Sequence, residues 1–241
     1  MWTRAELKQN AKIVLKRNYW MTFAVLFVAG FITGIGGGVS SAVDVAVQLE
    51  MDVSESLVFG VSVFSMLMAI FIAGPMLVGK NRFLMQSREM DTEFSTLFSG
   101  FNGDEFVNNV KIMFMREIKI TLWTFLLIIP GIIKAYEYYF VPYILAENPH
   151  LSHQRVFQLS KEMTRGYKWD IFVLEFSFLG WYLLGTMCLG VGTLFVNPYY
   201  EATLAELYAA QRAHVLSAGI VREDELCGFS GYGQDNYTDW Q

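Results

Sequence analysis

Residues 19–43 read YWMTFAVLFVAGFITGIGGGVSSAV, a run with no charged side chain until Asp44. A bilayer core about 30 Å thick is crossed by about 20 apolar residues of helix, and this run is longer than that. Lipid offers the backbone no hydrogen-bond partner, so a spanning segment satisfies its amides internally, as a helix does. Three more apolar stretches follow. The first covers 57–79 and is closed by Lys80 and Arg82. The second runs from 118 through Pro130-Gly131 to 146, and the third from 171 to about 208 with a break near Cys188. Hydrophobic residues make up 54% of the chain and charged residues 17%, against about 25% charged in a typical soluble domain. The expected fold class is an all-α, polytopic transmembrane helix bundle.

The positive-inside rule sets the topology. Lys and Arg occur at 4, 8, 12, 16 and 17, at 80, 82 and 88, at 111, 116 and 119, at 155, 161, 165 and 168, and at 212 and 222. The loop after the first run holds Asp44, Glu50, Asp52 and Glu55 and no basic residue, so it lies outside and the N-terminus inside. If the two longest runs are hairpins, every Lys and Arg except Lys134 falls on the cytoplasmic side. The reading is six spans, about 19–43, 57–79, 118–131, 132–147, 170–188 and 190–210, with both termini cytoplasmic. They pair as three hairpins, and Pro130-Gly131 is the outer turn of the middle one. Pro75, Pro142 and Pro198 each follow an apolar run in a returning helix, which supports the repeat.

Two amphipathic helices are expected at the cytoplasmic surface. Residues 1–18 open with Thr3-Arg4-Ala5-Glu6, a capping box, and carry Arg4, Lys8, Lys12 and Lys16 every four residues. The second starts at Leu151-Ser152. It has Val156, Leu159 and Met163 on one face and Arg155, Lys161 and Arg165 on another, and Gly166 ends it. These seven basic residues are candidates for anionic lipid headgroups; orientation and anchoring alone also account for them. Asn18 and Gly166 suit left-handed caps at the membrane approaches.

Gly30, Gly34 and Gly38 form overlapping GxxxG motifs, which let another helix approach closely. Charge inside a span is costly unless paired or hydrated, which singles out Glu175, Glu201 and its neighbour Asn197, and the pair Lys134 and Glu137, three apart on one helix face. Glu175 and Glu201 meet and share a proton or a cation, are neutralised by Lys80, Lys119 or Arg116, or sit hydrated at the interface.

Other chemistry is scarce. A net charge of −5 disfavours nucleic acid. Two Cys and three His give no metal-ligand spacing. There is no HExxH, GxSxG, P-loop or Rossmann pattern, so no catalytic residue, metal or cofactor is expected. Residues 213–241 read as an acidic, disordered cytoplasmic tail.

Several motifs together resemble a known family: Trp2-Thr3-Arg4-Ala5-Glu6-Leu7-Lys8, Asn18-Tyr19-Trp20, Ile128-Ile129-Pro130-Gly131-Ile132-Ile133-Lys134-Ala135-Tyr136, Pro142-Tyr143-Ile144-Leu145-Ala146-Glu147-Asn148-Pro149, Ser160-Lys161-Glu162-Met163 and Asn197-Pro198-Tyr199-Tyr200-Glu201-Ala202-Thr203. They are similar to an uncharacterised bacterial integral-membrane family, domain of unknown function 975, over roughly residues 1–212. The Pro-Gly segment also resembles the membrane domain attached to some glycerophosphodiester phosphodiesterases. The resemblance implies a bacterial cytoplasmic membrane and carries over no activity and no residue role. The functional expectation is a non-enzymatic accessory or protective envelope component that contacts membrane lipid or another membrane protein, of undetermined oligomeric state. The alternative is a small transporter or permease for a lipid-like or cationic solute. An intramembrane enzyme would need a paired acid and nucleophile that the sequence does not supply.

Overall fold

The computed structural model describes residues 2–49, 51, 53–89, 92–188, 190–222, 224–226 and 228–229. The described residues are α-helical with no strand, as the apolar runs require. The α-helices are α1 (Arg4–Gln48), α2 (Glu55–Met68), α3 (Gly74–Gln86), α4 (Gly103–Leu126), α5 (Ile128–Glu137), α6 (Val141–Glu147), α7 (His153–Thr164), α8 (Lys168–Phe176), α9 (Leu179–Met187) and α10 (Val191–Ser217). A π-turn at Ala69–Ala73 joins α2 to α3, and a 3-10 helix at Phe94–Phe101 precedes α4. The π-turn lies just before Pro75, whose missing N–H a regular helix would leave as a gap.

Helix α1 starts with the capping box. The Thr3 hydroxyl accepts from the Glu6 N–H at 3.3 Å, and the Glu6 carboxylate accepts from the Thr3 N–H at 3.3 Å. At Asn18 the backbone leaves helical geometry (φ −123°, ψ 28°) and separates the amphipathic part from the apolar part. The Asn18 break is a kink and not a left-handed cap; Gly166, at φ +81°, is the left-handed residue.

Three helical segments are long and apolar enough to cross a membrane: Arg4–Gln48, Glu55–Gln86 and Lys168–Met187. The rest depart from the six-span boundaries. Helix α4 stops at Leu126, the chain reverses at Leu127 (φ −157°, ψ 133°), and α5 runs back as far as Glu137. The reversal therefore comes three residues before Pro130, which lies in the first turn of α5. A Cβ on Gly131 would overlap Thr124, so the arms pack with no room for a side chain. Lys119 and Lys134 bracket the hairpin, which leaves seven residues of α4 beyond Lys119, about 10 Å of helix. The helix boundaries here therefore differ from the expected 118–131 and 132–147. The following helix α6 is buried along its whole length.

Helices α9 and α10 form a second short hairpin, turning through Gly190 at φ +78°. Its height against α1 is set by the Tyr19 hydroxyl donating to the Phe195 carbonyl at 3.2 Å and by Phe23 stacking on Phe195 at 5.3 Å. From Phe195 to Gly190 is about 8 Å of helix, whereas α1 continues from Phe23 to Gln48 for about 38 Å. The Lys168–Met187 segment coincides with the expected boundaries 170–188, and α10 runs past the expected 190–210 to Ser217. Residues 202–212 of α10 are buried side by side, and Tyr208 among them shares a core with Phe83, Met85, Phe140, Ile144 and Leu159.

The packed body and the exposed apolar helices are thus separate zones. No residue of α2 is buried, and Phe125 and Ile129 at the first short hairpin are 93% and 73% exposed. Gly30, Gly34 and Gly38 face open space; it is Gly36 that meets α2, where an added Cβ would lie 3.1 Å from the Met68 Cβ. The GxxxG face is therefore rotated away from the helix that α1 packs against.

Over residues 213–229 the structure also differs from a disordered tail. Helix α10 continues to Ser217, and Val221, Leu226 and Phe229 are buried. Residues 230–241 lie outside the described residues.

Glycine is required at Gly79, where a Cβ would overlap the Leu97 carbonyl of the 3-10 helix. Gly79→Ala is expected to cost about 1–3 kcal/mol through forced backbone movement. Gly30→Ala, on open space, changes stability by no more than about 0.5 kcal/mol. Thermal unfolding of the two variants in micelles checks the contrast.

Candidate functional site: two clefts at a charged layer

Carboxylates removed from water are stable only when paired or hydrogen-bonded, and this body pairs them across helices. Arg88 meets Glu206 at 2.7 Å, and Arg212 meets Glu147 at 2.7 Å, with all four side chains buried. The Tyr208 hydroxyl donates to Glu147 at 2.7 Å, and Arg212 donates to the Leu226 and Phe229 carbonyls at 2.6 and 2.8 Å. Neither pair is among the residues that the apolar-run pattern singled out. The available signal was an acid within a turn of an apolar run, at Glu147 and Glu206, for which some base must exist.

Where the body meets the exposed apolar helices, a layer of charge appears. Glu137 accepts from Lys134 at 2.6 Å and Lys168 at 2.7 Å. Lys134 also stands 5.4 Å from the Trp123 ring, and Lys119 stands 3.5 Å from the Phe157 ring. Glu201 is paired with Lys80 at 2.7 Å. Asn197 accepts from the Tyr182 hydroxyl at 2.8 Å.

Glu175 has a different environment. Its carboxylate accepts from the Tyr136 hydroxyl at 2.7 Å, Tyr139 at 2.7 Å and Tyr200 at 3.0 Å. It makes no bond to Glu201, so the two acids do not share a proton. Beside it is a cavity of about 300 Å³ lined by Tyr136, Phe172, Phe176, Leu179, Tyr182 and Tyr200 with Glu175 itself. The sequence signal for the tyrosines was weak: Tyr136 and Tyr139 are only three apart, in the last turn of α5 and the turn that follows it.

The basic candidates divide. Lys8 donates to the Ser177 hydroxyl at 2.7 Å and stands 4.4 Å from the Phe178 ring, and Lys12 stands 5.6 Å from the Tyr199 ring. Both turn toward the body, because the apolar face of their helix packs on it through Leu7, Ala11 and Val14. Arg4 and Lys16 are exposed. Arg155 is held by Glu225 through two bonds, at 2.6 and 2.7 Å. Lys161 and Arg165 line a second cleft, of about 280 Å³, together with Gly166, Lys168 and Trp169. Gly166 in its left-handed conformation turns the chain so that the end of α7 and the start of α8 face the same space. Sequence reading had Lys161 and Arg165 but not Lys168 and Trp169, which the turn brings beside them. Among the described residues no group of three His, Cys, Asp or Glu is placed to hold a metal ion.

Residues 125–214 match the family model described as "Protein of unknown function (DUF975)". All the residues lining both clefts, and the Glu147–Arg212 pair, lie inside that stretch. The match supports the resemblance to domain of unknown function 975; it does not bear on the weaker likeness to the glycerophosphodiester phosphodiesterase membrane domain. No curated protein and no solved structure matches the chain.

The Arg155–Glu225 clamp gives a pH dependence. Hydrogen bonding to Arg155 holds the Glu225 carboxyl down at about 2. A carboxyl whose folded pKa is lowered stabilises the fold above its unfolded value, about 4.3, and loses that contribution as pH falls toward 2. Segment 220–229 is therefore expected to stay docked at pH 5 and release between about pH 4 and 2. Glu225→Gln should release it at neutral pH. Hydrogen exchange of that segment reads both.

Proposed function

We propose that this chain is a non-enzymatic membrane protein that binds anionic lipid at the cytoplasmic face of a bacterial membrane, with both termini on that face. In this reading the hairpin formed by α1 and α2–α3 crosses the bilayer. The shorter hairpins, α4–α5 and α9–α10, enter only the adjacent leaflet, and the Lys168–Met187 segment, long enough to cross by length and composition, is broken between α8 and α9 and stays in that leaflet too. That arrangement puts Lys134 in the cytoplasmic charge layer, so the one basic residue that opposed the positive-inside pattern no longer does.

The observation that carries the lipid reading is the cleft formed by Lys161, Arg165, Gly166, Lys168 and Trp169. It sets three cations, Arg165 also bridged to Glu162 and Lys168 to Glu137, around a space the size of a phosphate-bearing headgroup. Trp169 is 72% exposed and begins an aromatic stripe with Phe172 at 5.1 Å and Phe176 beyond it at 5.9 Å. Cations beside an outward-facing aromatic stripe match a lipid, with its anionic head in the cleft and its chain along α8. Each basic residue near an anionic surface contributes about 1 kcal/mol.

Thermal unfolding in maltoside micelles tests this. Added phosphatidylglycerol is expected to raise Tm more than added phosphatidylcholine, because a ligand bound only by the folded state stabilises it. The double variant Lys161→Gln, Arg165→Gln should lose most of that difference while keeping its own lipid-free Tm, because Lys168, which pairs with Glu137, is left in place. Equal shifts with both lipids in the unaltered protein would remove the basis for the proposal.

A further inference from the structure

Glu147, Glu201, Glu206 and Glu225 are each held by a Lys or Arg, and Glu137 by two lysines. Glu175 has three tyrosine hydroxyls instead, and no lysine or arginine among the described residues forms an ion pair with it. Phenol donors satisfy the lone pairs of a carboxylate without cancelling its charge. That negative charge borders a cavity of about 300 Å³ whose other walls are Tyr136, Phe172, Phe176, Leu179, Tyr182 and Tyr200. Phe172, Phe176 and Leu179 are 38%, 60% and 45% exposed, so the cavity opens to the same side as the apolar surface of α8 and α9.

A carboxylate surrounded by aromatic rings is an arrangement that recognises an alkylated ammonium, since ring faces attract a cation. An inorganic cation would want several oxygen ligands at close range, and this cavity supplies one carboxylate already engaged by three hydroxyls. We propose that the Glu175 cavity binds an organic ammonium group, either the head of a zwitterionic lipid or a free alkylammonium solute. Its charged group is distinct from the Lys161–Arg165–Lys168 cleft and selects the opposite charge, so it does not depend on the anionic-lipid reading, although Phe172 and Phe176 belong both to the cavity wall and to the α8 stripe.

The test is calorimetric titration of the full chain in maltoside micelles with choline and with 3,3-dimethylbutan-1-ol, its uncharged counterpart of the same shape. Choline is expected to bind at least about tenfold tighter, since the two differ only in the charge that Glu175 and the ring faces attract. Glu175→Gln keeps the size and an acceptor oxygen and should abolish the preference. Phe172→Leu leaves the hydrogen bonds to Glu175 in place and should weaken choline several-fold, which keeps the test valid if the glutamine variant does not fold. Equal binding of choline and the alcohol, or a preference that survives both substitutions, would overturn the proposal. The two sources separate when choline is titrated into nanodiscs of phosphatidylglycerol alone and nanodiscs also containing phosphatidylethanolamine. Weaker apparent choline binding in the second assigns the site to a lipid head, and unchanged binding assigns it to a free solute.

Discussion

The constraint on which the structure depends is the cost of removing a carboxylate from water without a partner. Arg88–Glu206 ties the end of α3 to α10, and Arg212–Glu147 ties α10 to the end of α6. Breaking one member of such a buried pair leaves an uncompensated charge, at a cost of about 3–5 kcal/mol. These pairs hold α10 in the middle of the body, and α10 in turn fixes the height of its own hairpin against α1. In the proposed arrangement the depth of the apolar segments follows from where the charges meet.

That constraint also explains what was legible in the sequence. Helix, apolar run and capping box were readable at α1 because each is a local property of consecutive residues. Local too was the Lys134–Glu137 spacing, and the ion pair is present. The course of the chain through the apolar runs was not local. The run from 118 to 146 has enough apolar residues for a hairpin of two spans, yet Lys119 and Lys134 come back to one level and Val141–Glu147 turn into the core. Hydropathy cannot separate a residue that faces lipid from one that faces a protein core, because both are equally apolar. The same ambiguity hid the 202–212 stretch of α10.

The glycines show a related limit. Spacing identified Gly30, Gly34 and Gly38 as a packing face, whereas the α1–α2 contact falls on Gly36, two residues from both Gly34 and Gly38 and on a different face of the helix. The motif reports small residues and not which neighbour arrives. Of the seven basic candidates, Lys161 and Arg165 line the second cleft, whereas Lys8 and Lys12 are drawn to aromatic rings of the body, Arg155 to Glu225, and Arg4 and Lys16 are exposed.

The central claim is that one long hairpin crosses the membrane while two short hairpins stop within the cytoplasmic leaflet, setting both clefts at headgroup depth. Cys188 lies at the turn of the α9–α10 hairpin and is exposed on the protein surface, which makes it a native depth reporter. The decisive measurement is its labelling by a membrane-impermeant maleimide in a Cys227→Ser background, applied from either side of sealed vesicles, with Leu49→Cys as the marker for the outer loop. The expected result is that the Leu49→Cys marker is labelled from the outside while Cys188 stays protected from both sides until detergent is added. Labelling of Cys188 from the outside as readily as the Leu49→Cys marker would mean that the hairpin crosses, and would contradict the claim.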